Sequence, residues 1–416
     1  VDQSRAFEIT KQEVLTAYKK VKANKGSAGC DGITIEEFDK DMKNNLYKIW
    51  NRMSSGCYFP KPVKLVEIPK LDGTKRPLGI PAVSDRIAQQ VVKARLEPHI
   101  DNVFHEDSFG YRPNKSAHDA IAKARQRCWK FNWCIDLDIK GFFENINHEL
   151  LLKAVRKHTT CKWIVLYIER WLTAPVQLQD GSLNPRAKGT PQGGVISPLL
   201  ANLYLHYVFD KWVQKHFPKI LFERYADDIV IHCRTNYEAK TLLRKLEIRF
   251  NECHLEINNA KTHITYCRDS NRKLNYPRYQ FDFLGYTFRP RKAINKKGGY
   301  FVSFSPAASK KATTLMRKRL KMWLLHRQVS KTIDEIADII NPTLRGWVNY
   351  YGKFYPSALV ETYSCLNKRI AKWASRKFKN MRGRKRRASE WLMKISSQRP
   401  ALFYHWQGEG KSAFHW

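Results

Sequence analysis

The 416 residues carry 75 Lys+Arg against 38 Asp+Glu, a net charge of +37, with 43% hydrophobic and 12% aromatic residues. That composition is globular, excludes a disordered chain and is sufficient for two or three domains. The charge predicts a polyanionic partner, nucleic acid ahead of phospholipid, because a polyanion relieves the self-repulsion of so basic a chain. No apolar run approaches the roughly 18–20 residues of a bilayer span, and "VDQSRAFEIT" has no signal-peptide pattern. A soluble intracellular protein without a membrane role is expected. Nine scattered cysteines with no C-x-x-C pair predict neither a disulfide framework nor a zinc ribbon.

In chain order, residues 10–55 read as helix, Gly-rich turn, helix. "KLVEIPKLDGTKRPLGIP" (64–81) reads as a hairpin around Asp-Gly. "SDRIAQQVVKARLEPHI" (84–100) reads as a helix capped by Ser84 or Asp85, with Ile87, Val91, Val92 and Leu96 at helical spacing. "NWCIDLDIKGFFENINHELLLKAVRKH" (132–158) starts as a strand and ends as a helix. Ser197 and Pro198 open a helix over 197–217 at the cap and first position. "RYADDIVIHC" (224–233) reads as strand–turn–strand, 237–255 as a helix and "FDFLGYTFRP" (281–290) as strand. From 306 to 378 the pattern predicts about three basic-faced helices, then a basic tail. Residues 291–416 hold 28 Lys+Arg against 6 Asp+Glu.

Two segments place acids inside apolar strands: Asp136 and Asp138 in "CIDLDIKGFF", Asp227 and Asp228 in "YADDIVIH". A buried unpaired carboxylate costs several kcal/mol or more, roughly. Turn caps or pairing with nearby Lys and Arg would account for one such pair. Two pairs in a +37 chain favour neighbouring strands whose acids converge on hard cations. Two Mg²⁺ ions about 3.5–4 Å apart are the device that clamps the attacking and leaving oxygens of phosphoryl transfer.

These residues carry a family resemblance. "LDIKGFFENINH", "GTPQGGVISPLLANLYLH" (189–206), "RYADDIVIH", "LEINNAKT" (255–262) and "FDFLGYTF" resemble, in order, motifs A to E of the reverse transcriptases encoded by bacterial group II introns. "IPKLDGTKRPLGIPAVSDRI" and "SFGYRPNKSAHDAI" (108–121) resemble their finger segments, and "LRGWVNYYGKF" their thumb or maturase region. The resemblance covers nearly the whole chain and implies an α+β right-hand polymerase, with fingers and palm of antiparallel sheet plus helices followed by an α-helical thumb. The implied division is 1–130 N-terminal extension and fingers with parts of the palm, 131–290 palm, 291–378 helical thumb or maturase region, and 379–416 basic tail, a candidate DNA-binding segment.

Carried over position by position, the resemblance implies that Asp138 and Asp227 hold two Mg²⁺ ions, with Mn²⁺ as a substitute and the Ile139 carbonyl completing the shell. Asp228 would be the more peripheral catalytic acid and Asp136 at most a supporting residue. Phe143, five positions after Asp138, would exclude a ribose hydroxyl, and Phe142 would be core. Gln192 would contact the incoming deoxynucleoside triphosphate. Lys70, Lys75 and Arg76 are candidates for its phosphates, Arg76 first because guanidinium binds phosphate bidentately. Lys261 would donate a proton to pyrophosphate. Arg112, Gly193, Phe283, Leu284, Gly285, Tyr286, Arg345, Tyr350, Tyr351 and Lys353 would meet template or primer, the aromatic–basic mixture suiting a nucleic-acid groove.

The implied function is an RNA-directed DNA polymerase acting on an RNA template and a DNA or RNA primer. It would also be a maturase that binds group II intron RNA, supports splicing and inserts the intron into target DNA, in the bacterial cytoplasm. The absence of cysteine pairs near the end resembles the endonuclease-less, IIC-like kind. A splicing maturase with secondary polymerase activity and a host-defence or repair reverse transcriptase are the alternatives; oligomeric state stays open.

Overall fold

The computed structural model describes residues 7–69, 75–295 and 297–407. The chain opens with helices α1 (Lys11–Asn24), α2 (Ile35–Lys40) and α3 (Met42–Ser54). α1 and α2 begin on reciprocal caps: the Thr10 and Thr34 hydroxyls accept from the Glu13 and Glu37 N–H groups at 3.2 and 3.1 Å. Each glutamate accepts from the threonine N–H in return. Strands β1 (Val63–Pro69) and β2 (Lys75–Ile80) form the expected antiparallel hairpin, with Ile68 opposite Arg76. Its turn, including Lys70, lies outside the described residues.

Helix α4 runs Val83–Asp101 and starts without a side-chain cap. Of the two expected caps, Ser84 lies within the helix and Asp85 is 1% exposed. Its carboxylate accepts from the Tyr58 hydroxyl at 2.7 Å and the Lys61 N–H at 3.1 Å. Tertiary donors outcompete the local cap because this end of α4 is buried, as Ile87, Ala88, Val91 and Val92 show.

There follow α5 (Ala117–Cys128), β3 (Trp133–Leu137), α6 (Phe142–Asn145), α7 (His148–His158), α8 (Lys162–Thr173), β4 (Val176–Gln177) and β5 (Leu183–Asn184). The helix expected over 197–217 is divided into α9 (Ser197–Leu205), a π-helical turn at His206–Asp210 and α10 (Lys211–His216). Ser197 sits inside α9 and its hydroxyl accepts from Thr190 at 2.8 Å rather than capping the helix. β6 (Leu221–Tyr225) and β7 (Asp228–Cys233) are the strands around the double aspartate, and β7 is the neighbour of β3. Next come α11 (Asn236–Glu252), β8 (His263–Tyr266), β9 (Phe281–Phe283), β10 (Tyr286–Ile294), β11 (Tyr300–Ala308), α12 (Lys310–Met322), α13 (Ile333–Tyr351), α14 (Val360–Lys377) and α15 (Lys385–Gln398).

The chain divides into two compact units. The first comprises the residues up to Ala120, Leu137–Ile231 and Tyr237–Thr262. It contains the sheet β2-β1-β4-β5 and the β6–β7 hairpin. The second comprises Ile121–Asp136, His232–Asn236 and the residues from His263 onward. There β3 pairs antiparallel with β8, and β9, β10 and β11 form a three-stranded sheet. Its helices enclose a core of Ile336, Ile340 and Leu344 from α13, Leu366, Ile370 and Trp373 from α14, and Leu392 from α15. The segment expected as a basic tail from 379 is folded: Leu392, Phe403 and Trp406 are fully buried. Its apolar positions are sparse among arginines, so its core-facing side is faint in the sequence.

Candidate active site

Asp138 stands just past β3 and is held by the segment that follows α11. Its N–H donates to the Thr262 hydroxyl at 3.2 Å, and its carbonyl accepts from the Asn258 N–H at 2.8 Å. Its carboxylate oxygen Oδ2 accepts from Asn258 Nδ2 at 2.9 Å and lies 3.3 Å from Lys261 Nζ. Ile139 bridges Ile257. "LEINNAKT" is thus a brace that fixes the backbone on both sides of the acid.

Asp227 occupies the turn between β6 and β7. Ala226 before it has φ of 59°, a left-handed conformation that costs an L-residue about 1–2 kcal/mol. A buried network holds that turn. Arg224, fully buried, grips the Asp210 carboxylate with two bonds of 2.8 and 2.7 Å. It also donates to Asn202 at 2.9 Å and to the Ala226 carbonyl at 3.2 Å. Burial alone drives the Asp210 carboxyl upward, but Arg224 and His206 reverse this and hold it below the usual range. Gly110 closes the other side, where a Cβ would stand 2.4 Å from the Ala226 nitrogen. No side chain fits there, which gives the glycine of "FGYRP" its reason.

Both acids open onto one cavity of about 560 Å³. Ile139, Phe143, Gln192, Gly193, Lys75, Arg76 and Lys261 line it with them. Burial raises the Asp227 carboxyl above its ordinary value; the Asp138 charge raises it further, while Arg76 and Lys261 pull it back. The Gln192 loop is stitched to the finger hairpin, with the Gly79 N–H donating to the Gln192 carbonyl at 2.7 Å. Gly193, at φ of 120°, lets it come so near, since a Cβ would lie 2.4 Å from the Gly79 oxygen. Thr190 donates its N–H to the Phe143 carbonyl at 2.7 Å, which ties the same loop to the segment after Asp138. Phe143 is half-buried, whereas Phe142 is 2% exposed.

Other expected residues do not line this cavity. Asp228 begins β7 and is half-buried. Arg112 is engaged by the fold: its guanidinium bonds the Asp101 carboxylate at 2.7 Å and the carbonyls of His105, Ser108 and Asp101. Its side chain is 8% exposed, so it orders its own loop rather than offering a cation to a template. In the second unit, Phe283, Leu284, Gly285 and Tyr286 form the tight β9–β10 turn against the end of α13. The Tyr350 hydroxyl donates to the Leu284 carbonyl at 2.9 Å, and the Tyr286 hydroxyl donates to the Tyr350 carbonyl. A Cβ on Gly285, whose φ is 79°, would stand 3.1 Å from the Tyr351 hydroxyl. Arg345 is exposed and lies 5.3 Å from the Tyr404 ring centre; Lys353 is exposed.

The sequence reading missed Tyr111 and Asn258, which also line the cavity. Asn258 carries no motif signal beyond its place near Lys261. Tyr111 has φ of 56°, invisible from residue type, and burial followed by the Asp227 charge raises its hydroxyl.

Residues 68–288, more than half of the chain, match the family described as reverse transcriptase (RNA-dependent DNA polymerase). The chain belongs to the reverse transcriptase family. Residues 301–391 of this reverse transcriptase match the group II intron maturase-specific domain. It is 29% identical to the group II intron-encoded protein LtrA of Lactococcus lactis subsp. cremoris, over 84% of this chain and 71% of that one. It is also 29% identical to the protein YkfC of Escherichia coli (strain K12), over 65% of this chain and 77% of that one. Among solved structures, telomerase from Candida albicans aligns at a TM-score of 0.46 and 11% identity, covering 92% of this chain and 69% of that one. The reverse transcriptase match makes the protein an RNA-directed DNA polymerase, and the match at 301–391 adds a group II intron maturase-specific domain.

Proposed function

We propose that this enzyme extends a primer 3′ end with deoxynucleotides on an RNA template, and that Asp138 and Asp227, with the Ile139 carbonyl, hold two Mg²⁺ ions. The observation that carries this is the pair of carboxylates sharing one cavity. The burial and mutual repulsion that raise Asp227 are what a hard cation between the acids would relieve. The bound ions would supply Lewis-acid stabilisation of the charge that builds up during phosphoryl transfer. The protein's own groups do the rest. Arg76, with Lys70, orients the triphosphate. Phe143 occupies the space a ribose 2′-hydroxyl needs. Gln192 sits at the sugar and base, and Lys261 delivers a proton to the departing pyrophosphate. Asp228 serves as the peripheral acid.

In the same reading, residues 1–130 act as extension and fingers, 131–290 as palm and 291–378 as thumb. The Phe283–Tyr286 turn holds the primer terminus. Arg345, Tyr350, Tyr351 and Lys353 face the nucleic acid, with the positive charge of residues 291–416 supporting contact with intron RNA and target DNA. The test is primer extension on matched RNA and DNA templates with deoxy- and ribonucleotides. RNA-templated, Mg²⁺-dependent DNA synthesis is expected; synthesis confined to ribonucleotides, or none without a cognate intron RNA, overturns the assignment. Splicing of a cognate intron by Asp227→Ala protein separates RNA binding from polymerisation.

A further inference from the structure

Three thiols converge in the second unit although the sequence shows no paired-cysteine motif. Cys128 ends α5, Cys134 lies in β3 and Cys267 directly follows β8. Their sulfurs all lie within 4.8 Å of one another, at 3.6 Å for Cys128–Cys134 and 3.3 Å for Cys134–Cys267. His232, in β7, sets its Nδ1 3.3 Å from the Cys134 sulfur. All four side chains are 0% exposed.

A single buried cysteine is an ordinary small apolar residue. Three from separate elements, meeting sulfur to sulfur beside an imidazole, are not accounted for by packing. Donor atoms around tetrahedral zinc stand about 3.5–3.8 Å apart, given Zn–S near 2.3 Å and Zn–N near 2.0–2.1 Å. The observed separations fall close to that spacing. We propose that Cys128, Cys134 and Cys267 bind a zinc ion as thiolates, with the His232 imidazole as the fourth donor.

The site is structural in kind: four protein donors and complete burial leave no place for a substrate. It joins a helix end to three strand segments that are far apart in sequence. His232 stands nearest Cys134 and would have to turn its ring toward the other two sulfurs to complete the set; the Phe131 ring packs 5.9 Å from it. Three thiolates and one Zn²⁺ leave a charge of about −1, and the Arg272 guanidinium acts electrostatically on Cys267. Arg272 is fixed there by its bonds to Asp269 and to the Phe131 carbonyl.

The test uses the full chain, purified under reducing conditions without a histidine tag, and measures its zinc by elemental analysis. About one equivalent per chain is expected. Cys128→Ser, Cys134→Ser and Cys267→Ser proteins should lose it, and Cys57→Ser, at an exposed cysteine, should keep it. Because the core variants can fail to fold, wild-type protein is also stripped and reloaded with Co²⁺. A thiolate-to-cobalt charge-transfer band with tetrahedral visible bands is the expected signature. Folded wild-type protein that binds neither zinc nor cobalt overturns the proposal. So does a bound ion without the sulfur band, or a Cys134–Cys267 disulfide in metal-free active enzyme.

Discussion

The Lys261 ammonium lies 3.3 Å from the Asp138 carboxylate at the mouth of the shared cavity. The lysine's side chain is 68% exposed. A salt bridge so exposed contributes no more than about 0–1 kcal/mol to stability, so its value is positional. Lys261→Ala should lower the rate of single-nucleotide addition about 10²-fold or more, the usual scale for a lost general acid. Lys261→Arg restores the charge but gives up the proton at neutral pH far less readily. It should therefore rescue nucleotide affinity and not the rate, and the alkaline limb of the pH–rate profile should move. Full rescue by arginine would reduce Lys261 to a counter-charge.

Phe143 and its neighbour Phe142 meet edge to face, with centroids 5.3 Å apart, but Phe142 is buried and Phe143 only half-buried. Phe143→Ala should admit ribonucleotides, lowering the discrimination in kcat/KM between dNTP and rNTP by about 10–100-fold, the scale for a small steric difference. Phe142→Ala should instead destabilise the protein by roughly 3–5 kcal/mol with little change in sugar choice. Competition assays and denaturant melts distinguish the two.

Arg224 and Asp210 form a buried pair that supports the turn carrying Asp227. Removing one partner leaves an uncompensated charge, so Arg224→Ala should cost about 3–5 kcal/mol in unfolding free energy. Activity should fall beyond what lost folding explains, because the Ala226 carbonyl loses its donor. Denaturant melts combined with activity per folded molecule check this.

Asp85 gives a pH signature remote from the chemistry. Burial pushes its carboxyl from 3.8 to about 6, against the hydrogen bonds from Tyr58 and Lys61 that lower it. Between those values the folded state holds a proton that the unfolded chain has released, so stability falls as pH rises from about 4 through 6. The shift corresponds to roughly 3 kcal/mol in scale. Asp85→Asn should flatten this part of the stability–pH curve relative to wild type, as read from denaturant midpoints between pH 4 and 7.

The parts of the site that sequence revealed are those where residue type and local order carry the chemistry. Asp138 and Asp227 stood out because acids inside apolar strands are costly. Gln192 stood out through the resemblance of its motif, and the neighbouring glycines because backbone without side chains can approach a ligand closely. The supports were hidden because they depend on contacts across the chain. Arg224 finds Asp210 through the π-helical turn that interrupts α9 and α10, and no residue pattern announced that turn. Asp85 looked like a helix cap because its partners, Tyr58 and Lys61, come from another segment. Arg112 looked available because its anchoring carbonyls are invisible in one dimension. The folded end of the chain was masked by arginines around a few buried residues, Leu392, Phe403 and Trp406. The thiol cluster escaped for the same reason: Cys134 and Cys267 are 133 positions apart.

The central claim is that Asp138 and Asp227 act together on the reacting phosphate. Single-turnover primer extension on an RNA template by Asp227→Ala protein, with RNA affinity measured on the same preparation, tests it most directly. Extension should drop by about 10³-fold or more, the scale of a lost metal-ligand or electrostatic contribution to catalysis, while RNA affinity stays near wild type. Extension at the wild-type rate by the folded variant would contradict the account.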